Sequence, residues 1–281
     1  MIEVLNPGVF SSIQDGGRLG YKKYGVPSSG FMDNFSAQFA NFLLGKPFNA
    51  PLIEAAQAGL ELRFYQDLNI AVCGAEVDLT CNGEPLLQNR LIKVEAGNIL
   101  RIKSINKGVW SYLGIQHDLK TDEILCSHSQ YLTLTKSHCL KKGDLIAIEE
   151  ASVSGMQNSR LTFQKQKLSE QSITVYKGPE FHLLSKDKQY QLFNSNFSIS
   201  SKSNRMAYAF NEKLDSHDFS ILSRPVLPGT VQWTPAGELF CLMRDAQTTG
   251  GYPRILQLAE ENISLLAQKQ SGKLVSFQKI M

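Results

Sequence analysis

The sequence predicts a mainly β protein, of barrel or sandwich architecture, arranged as two domains. Three observations lead to this prediction. Many short segments alternate apolar and polar residues with the period of two that a half-buried strand requires. Turn signals such as Asn82-Gly83 and Ala96-Gly97-Asn98 separate these segments. A length of 281 residues, 42% of them hydrophobic, is enough for two domains with a core each.

The predicted strands are short and spread along the whole chain. Alternation is clearest at residues 76–81, 100–103 and 132–135. Further runs with strand composition are Leu60–Phe64, Asn69–Cys73, Leu91–Glu95, Val109–Ile115, Leu145–Glu149, Ile173–Tyr176, Phe197–Ser200, Glu238–Met243 and Lys273–Phe277.

One helix is clearly signalled. Asp33 is its predicted N-cap, and Gly45 marks its end. An apolar face repeats every four residues, at Phe35, Phe39 and Leu43.

Weaker patterns predict a second helix and one turn. The helix covers Glu260 to Gln268 with Ile263 and Leu266 pointing inward, and the turn follows Pro179. Between residues 150 and 171 the chain becomes polar and rich in small side chains, which is typical of a domain boundary. We therefore predict domains at 1–158 and 159–281.

Charge and composition exclude several classes of protein. With 29 basic and 26 acidic residues the net charge is +3, and no long basic run occurs, so nucleic acid is not expected as a partner. No stretch is apolar enough for a membrane span, and no signal peptide is recognisable. The five cysteines include no C-x-x-C pair, which fits a reducing compartment. We expect a cytoplasmic protein.

Familiar catalytic motifs are absent. The chain has no P-loop, dinucleotide fingerprint, zinc-protease motif or nucleophile elbow. It also lacks the Met-Lys-Met setting of covalent biotin, so no biotin is expected on this chain. The metal-binding residue types Cys126, His128, His138 and Cys139 have a spacing that matches no metal motif. We expect them in strands, with no metal site.

The first segment with site character runs from Ser12 to Asp33. Five glycines between Gly16 and Gly30 allow close approach of backbone amides to a ligand. Beside them, Gln14, Asp15 and Arg18 offer an amide, a carboxylate and a planar guanidinium. The competing interpretation is an irregular loop in which Arg18 pairs with Asp15 and Asp33 only caps the helix.

Two further segments lie in the second half of the chain. Residues 201–206 follow a strand, and Arg205 there is suited to clamp a carboxylate or phosphate, although a surface salt bridge is the competing explanation. Residues 228–253 contain Gln232 and end in a glycine-bent turn that carries one carboxylate, one amide and two hydroxyls: Asp245, Gln247, Thr248 and Thr249.

These motifs resemble the biotin-dependent carboxyltransferase family, which includes allophanate hydrolase subunit 2-like proteins and the C subunits of 5-oxoprolinases. The resemblance covers nearly the whole chain and rests on the residues Gln14-Asp15-x-Gly17-Arg18-x-Gly20-Tyr21, Gly25-Val26-Pro27-x-Ser29-Gly30, Ser203-x-Arg205-Met206, Pro228-Gly229-x-x-Gln232 and Asp245-x-Gln247-Thr248-Thr249-Gly250-Gly251-Tyr252-Pro253. It implies two tandem cyclophilin-like β-barrel domains.

The resemblance also implies a function. Family members act with a homologous β-barrel partner of the B type, and often with a third partner of the A type, in the ATP-dependent opening of 5-oxoproline to glutamate. Two alternatives stay open. One is a non-catalytic regulatory role exerted through a partner, and the other is carboxyl transfer from biotin carried on another chain.

We expect the site residues to divide by chemistry. Asp15 and Asp245 are the expected acid/base groups, and Arg18 and Arg205 are expected to hold a carboxylate or phosphate. The remaining residues are expected to bind and orient a small amide substrate: Gln14, Ser29, Gln232, Gln247, Thr248, Thr249, Gly250 and Tyr252.

Three segments depart from the family pattern: residues 114–118, 126–131 and Arg224-Pro225. His128 stands where relatives have an arginine, and Tyr131 where they have an acidic residue. These changes favour an altered substrate or a non-catalytic role.

Overall fold

The computed structural model describes residues 1–150 and 168–280, and the chain divides into two compact units. The first contains Met1–Arg18 and the described residues from Ser29 to 150. The second contains Leu19–Ser28 and residues 168–280. Strands dominate both, which confirms the mainly β prediction. The predicted boundary at 158/159 lies outside the described residues and stays a prediction.

Ten strands form the curled sheet of the first unit, and every pair is antiparallel. Along the sheet the order is β2-β3-β8-β4-β1-β10-β9, and β5 pairs with β6, β7 and β8. The bounds are β1 Ile2–Pro7, β2 Phe10–Gln14, β3 Leu52–Ala56, β4 Leu60–Phe64, β5 Leu68–Cys81, β6 Glu84–Leu86, β7 Leu91–Val94, β8 Ile99–Ile115, β9 Asp118–Lys120 and β10 Leu145–Glu149.

Helix α1, Asn34–Leu43, packs on β5 and β8. Asp33 caps it by accepting from the Ser36 amide at 3.2 Å, which confirms the predicted N-cap. The predicted buried face is wrong, because Phe35 is 42% exposed and the buried residues are the smaller Ser36, Ala37, Ala40 and Asn41. Small side chains let the helix approach the sheet closely, and a Cβ at Gly114 would lie 3.6 Å from that of Ala40.

Seven strands form the curled sheet of the second unit, in the order β12-β19-β11-β18-β15-β16-β13, and β14 and β17 form a separate pair. Only β11 and β19 run parallel among these described pairs. The bounds are β11 Ser172–Lys177, β12 Phe197–Ser198, β13 Ala207–Ala209, β14 Arg224–Pro225, β15 Thr230–Trp233, β16 Leu239–Leu242, β17 Thr249–Gly250, β18 Arg254–Leu258 and β19 Leu274–Lys279.

Two helices belong to the second unit. Helix α3, Glu260–Ala267, confirms the prediction, and Ile263 and Leu266 are buried as expected. Helix α2, Lys186–Asn194, was not predicted because it buries only Leu192 and so lacks an apolar stripe. The predicted turn after Pro179 is a 3-10 turn, Phe181–Leu183. None of the helices in the described ranges is long and apolar enough to cross a bilayer.

The alternation at residues 132–135 misled the strand prediction. These residues form turns, with Leu132 59% exposed and Thr133 at a φ of 73°. The Thr135 amide donates to the Tyr131 carbonyl at 3.1 Å, and the Thr135 hydroxyl donates to that carbonyl at 2.9 Å. Local side-chain bonds of this kind compete with strand pairing.

Gly74 and Gly83 both have positive φ but differ in the space around them. At Gly74, with φ 104°, a Cβ would lie 2.4 Å from the Trp110 carbonyl oxygen. At Gly83, with φ 93°, nothing lies within 4 Å. We expect Gly74→Ala to lower the free energy of unfolding by about 3 kcal/mol or more, and Gly83→Ala by about 1 kcal/mol. Chemical denaturation measures both, and equal losses would contradict the steric argument.

Candidate functional site

Asp15 is buried at the end of β2, and its carboxylate is surrounded by donors. Oδ1 accepts from the Gly17 amide at 2.8 Å and from the hydroxyls of Ser127 at 2.7 Å and Ser129 at 2.6 Å. Oδ2 accepts from the His128 amide at 2.6 Å. A buried carboxylate needs such donors, and here three of them bond to Oδ1 and one to Oδ2. Asp15 thereby joins the glycine-rich loop to residues 127–129.

Arg18 and Gln14 bond to the same segment, residues 124–130, through its backbone carbonyls. The Arg18 side chain is buried, and it donates to the carbonyls of Ser129 and, from Nε at 3.2 Å, Ile124. Gln14 is also buried, and its amide donates to the Gln130 carbonyl at 3.1 Å. These bonds of Arg18 and Gln14 run to backbone carbonyls of residues 124–130, where three of the four donors to Asp15 also lie. The substrate contacts expected of Gln14 and Arg18 stay predictions.

Ser29 differs from these buried neighbours. It is 3% exposed, and its hydroxyl has no hydrogen-bond partner in the described part of the chain. Its φ of 53° is uncommon for a residue with a Cβ, and such backbone strain is concentrated at functional sites. At the adjacent Gly30, a Cβ would lie 3.1 Å from the Asp15 carbonyl oxygen, so only glycine permits this close packing. Ser29 therefore offers an uncommitted hydroxyl beside the anchored loop.

A second buried polar group lies beneath helix α1. Glu54 accepts from the Met32 amide at 2.8 Å, and the Tyr112 hydroxyl accepts from the Asp33 amide at 2.7 Å. Burial, followed by the negative charges of Glu54 and Asp33, raises the pKa of Tyr112. Asp33 also accepts from the Ser36 hydroxyl at 2.6 Å. This group fixes the start of the helix.

The four residues with metal-binding chemistry lie outside strands, so the prediction that they occupy strands is wrong. Cys126 is exposed, and His128 bonds through Nδ1 to the Thr121 hydroxyl at 3.0 Å. Within residues 1–150 and 168–280, no three His, Cys, Asp or Glu side chains are grouped to hold a metal ion.

In the second unit, Arg205 and Asp245 form a bidentate ion pair. Arg205 donates from Nε to Oδ2 at 2.7 Å and from a terminal nitrogen to Oδ1 at 3.1 Å. The two side chains are 8% and 14% exposed. The Asp245 amide also donates to the Arg205 carbonyl at 2.9 Å. This pair is a nearly buried anchor between two loops, unlike the surface salt bridge that was the alternative explanation for Arg205.

Gln232 and the turn after Asp245 are in contact. Gln232 is buried on β15, and its amide oxygen accepts from the Gln247 amide at 3.5 Å. Its own amide donates to the Tyr252 carbonyl at 3.5 Å. A Cβ at Gly250 would lie 2.4 Å from the Gln232 amide nitrogen, so any larger residue there would displace the Gln232 side chain. The structure therefore brings together four of the predicted residues.

Thr248 and Thr249 lie on the same turn, which the β14–β17 pair supports. The Val226 amide donates to the Thr248 carbonyl at 3.0 Å, and Thr249 pairs with Pro225. Neither threonine hydroxyl bonds to a described residue. Gln247 and Thr249 are exposed, so this turn presents an amide and a hydroxyl to solvent.

Arg254 supports this turn by bonding Glu180 and the carbonyl of Pro225, the residue that pairs with Thr249. It donates to Glu180 at 2.8 and 2.7 Å, and to the Pro225 carbonyl at 2.9 Å. The hydrogen bonds from Arg254 lower the pKa of Glu180. Sequence reasoning missed Glu180 and Arg254, and it also missed Ser127 and Ser129, because isolated polar residues of these types occur throughout surface loops.

Known proteins resemble this chain along nearly its whole length. The family model described as carboxyltransferase domain, subdomain A and B, matches residues 24–279. The 5-oxoprolinase C subunit of Haemophilus influenzae is 30% identical over 286 residues, which cover 100% of this chain and 91% of that protein. Its Escherichia coli counterpart is 31% identical over 283 residues, which cover 99% and 90%.

A solved structure shows that the similarity holds for the fold as well as for the sequence. The K. lactis urea amidolyase has a TM-score of 0.88 and 26% identity, covering 100% of this chain but only 19% of that one. The resemblance seen in the sequence is thus confirmed over nearly all of the chain. The protein belongs to the carboxyltransferase domain family, subdomains A and B.

Proposed function

We propose that this chain is the C subunit of an ATP-dependent 5-oxoprolinase-like amidohydrolase. The observation that carries the proposal is the 30–31% identity, over nearly its full length, to proteins named as the C subunit of 5-oxoprolinase. The reaction adds water across the cyclic amide bond and yields glutamate. A homologous B-like partner and a third, A-like partner complete the enzyme. ATP is assigned to the assembled complex, because this sequence has no phosphate-binding loop of the usual kind.

The groups with free bonding capacity suit an amide substrate. A cyclic amide presents one carbonyl acceptor and one N–H donor. The Gln247 amide supplies both a donor and an acceptor, and the hydroxyls of Thr248 and Thr249 supply either. Tyr252 is 46% exposed on the same turn as Gln247. These side chains are our proposed substrate contacts.

We assign positioning roles to the two carboxylates predicted to exchange protons. Asp15 accepts four hydrogen bonds from described donors, and both oxygens of Asp245 bond to Arg205. A general base must reach the proton that it removes. These carboxylates instead hold the loops on which Ser29, Gln247 and Thr249 lie.

Carboxyl transfer is the second candidate function, and the match to the K. lactis urea amidolyase favours it. In that case the carboxyl group would come from biotin on another chain, since this one lacks the usual biotinylated lysine motif. Transfer from carboxybiotin to urea, without release of glutamate from 5-oxoproline, would support this alternative.

Reconstitution tests the leading proposal. The purified chain, mixed with its B-like and A-like partners, ATP and 5-oxoproline, should release glutamate and ADP in equal amounts. A complex that assembles but does not turn over, while the Escherichia coli proteins are active under the same conditions, would contradict the proposal. That outcome would instead favour a regulatory role.

The turn after Asp245 gives a sharper test. Gln247→Ala and Thr249→Ala should each lower kcat/KM of the complex by about tenfold, because each removes a proposed substrate hydrogen bond. Stability should hardly change, since both residues are exposed. The control is Gln171→Ala, an exposed glutamine before β11 that should leave turnover unchanged. Full activity in both turn variants would remove these residues from the site.

A further inference from the structure

Arg244, which precedes the anchor Asp245, has a donor that nothing described satisfies. Its side chain is 10% exposed, and one terminal nitrogen donates to Glu260 at 2.7 Å. Its buried Nε has no hydrogen-bond partner among residues 1–150 and 168–280. The neighbouring carboxylate of Asp245 is taken by Arg205. Leaving a buried charged donor unpaired is costly, so the geometry points to a ligand.

A second cation lies within electrostatic reach of Arg244. Lys22 is on the 3-10 turn Lys22–Tyr24, in the segment Leu19–Ser28 that belongs to the same compact unit. Burial, followed by the positive charge of Arg244, lowers the pKa of Lys22. The Lys22 ammonium has no ion-pair partner in the described part of the chain. Arg244 forms an ion pair with Glu260, whose side chain is 65% exposed and is therefore well solvated.

We propose that Lys22 and Arg244 form a binding site for a small oxyanion, a carboxylate or a phosphate. An oxyanion would accept from the unpaired Nε of Arg244 and would bridge it to the Lys22 ammonium. Guanidinium and ammonium groups together are suited to this chemistry, because one gives directed donors and the other a mobile point charge. Neither residue was singled out from the sequence as a site residue.

The proposed site gives a role to Lys22, a basic residue of the glycine-rich segment whose side chain bonds to no described residue. Arg18 bonds carbonyl groups of its own unit and Arg205 bonds Asp245, so both predicted anion-binding arginines have protein partners. Lys22 has no described ion-pair partner, and Arg244 keeps an unpaired Nε donor. The proposal concerns binding by this chain alone and does not depend on the proposed enzymatic activity.

Calorimetric titration of the purified full chain, without ATP or partner proteins, tests the site. One arm uses inorganic phosphate and the other uses 5-oxoproline, and the arm that binds identifies the source of the oxyanion. Lys22→Gln and Arg244→Gln should each weaken binding by about tenfold or more, since each removes a charge-assisted hydrogen bond. Binding should also weaken as salt is raised.

Two matched variants sharpen the result. Lys23→Gln removes the adjacent lysine, which lies over the Tyr24 ring, and should leave affinity unchanged. Glu260→Gln removes the competing carboxylate of Arg244 and should raise affinity. If Arg244→Gln does not fold, Lys22→Gln decides, because Lys22 makes no side-chain bond to a described residue. Failure of both arms at millimolar ligand, or equal loss in Lys22→Gln and Lys23→Gln, would overturn the proposal.

Discussion

A carboxylate that leaves water must be given hydrogen-bond donors, and this constraint organises both loop regions of the protein. In the first unit, Asp15 collects two backbone amides and two serine hydroxyls, and so fixes residues that are more than a hundred positions apart in sequence. In the second unit, Asp245 takes both of its bonds from Arg205. The loops have little regular structure of their own, so these bonds determine their course.

The same constraint distinguishes side chains that fix the loops by bonding within the protein from side chains that are available to bind a ligand. Asp15, Arg18, Arg205 and Asp245 look catalytic in the sequence because charged residues within glycine-rich motifs are typical of active sites. In the structure these four side chains are bonded to protein. By contrast, the hydroxyls of Ser29 and Thr249 bond to no described residue, and Gln247 makes one long bond, to Gln232 at 3.5 Å. Pre-organised loops of this kind reduce the conformational entropy that is lost when a ligand binds.

Sequence reasoning recovered most of the fold because its signals are local. Strand-type composition located β4 and β10 at their observed bounds, and Asp33 located the start of α1. It failed where local and tertiary signals differ. At 132–135, side-chain bonds produced turns despite an alternating pattern, and on α1 the approach to the sheet selected small residues over phenylalanines. The motifs predicted candidate site residues, but whether a carboxylate is bonded to distant serines depends on tertiary packing that no motif encodes.

The central claim is that Asp245 holds its loop through Arg205, and a double-mutant cycle tests it most directly. Free energies of unfolding would be measured for Asp245→Asn, Arg205→Gln and the double variant. Since the pair is nearly buried, each single change should cost about 3 kcal/mol or more, and the double change should cost little more than one of them. A coupling energy of about 3 kcal/mol is therefore expected. Additive losses, with coupling below about 0.5 kcal/mol, would contradict the account.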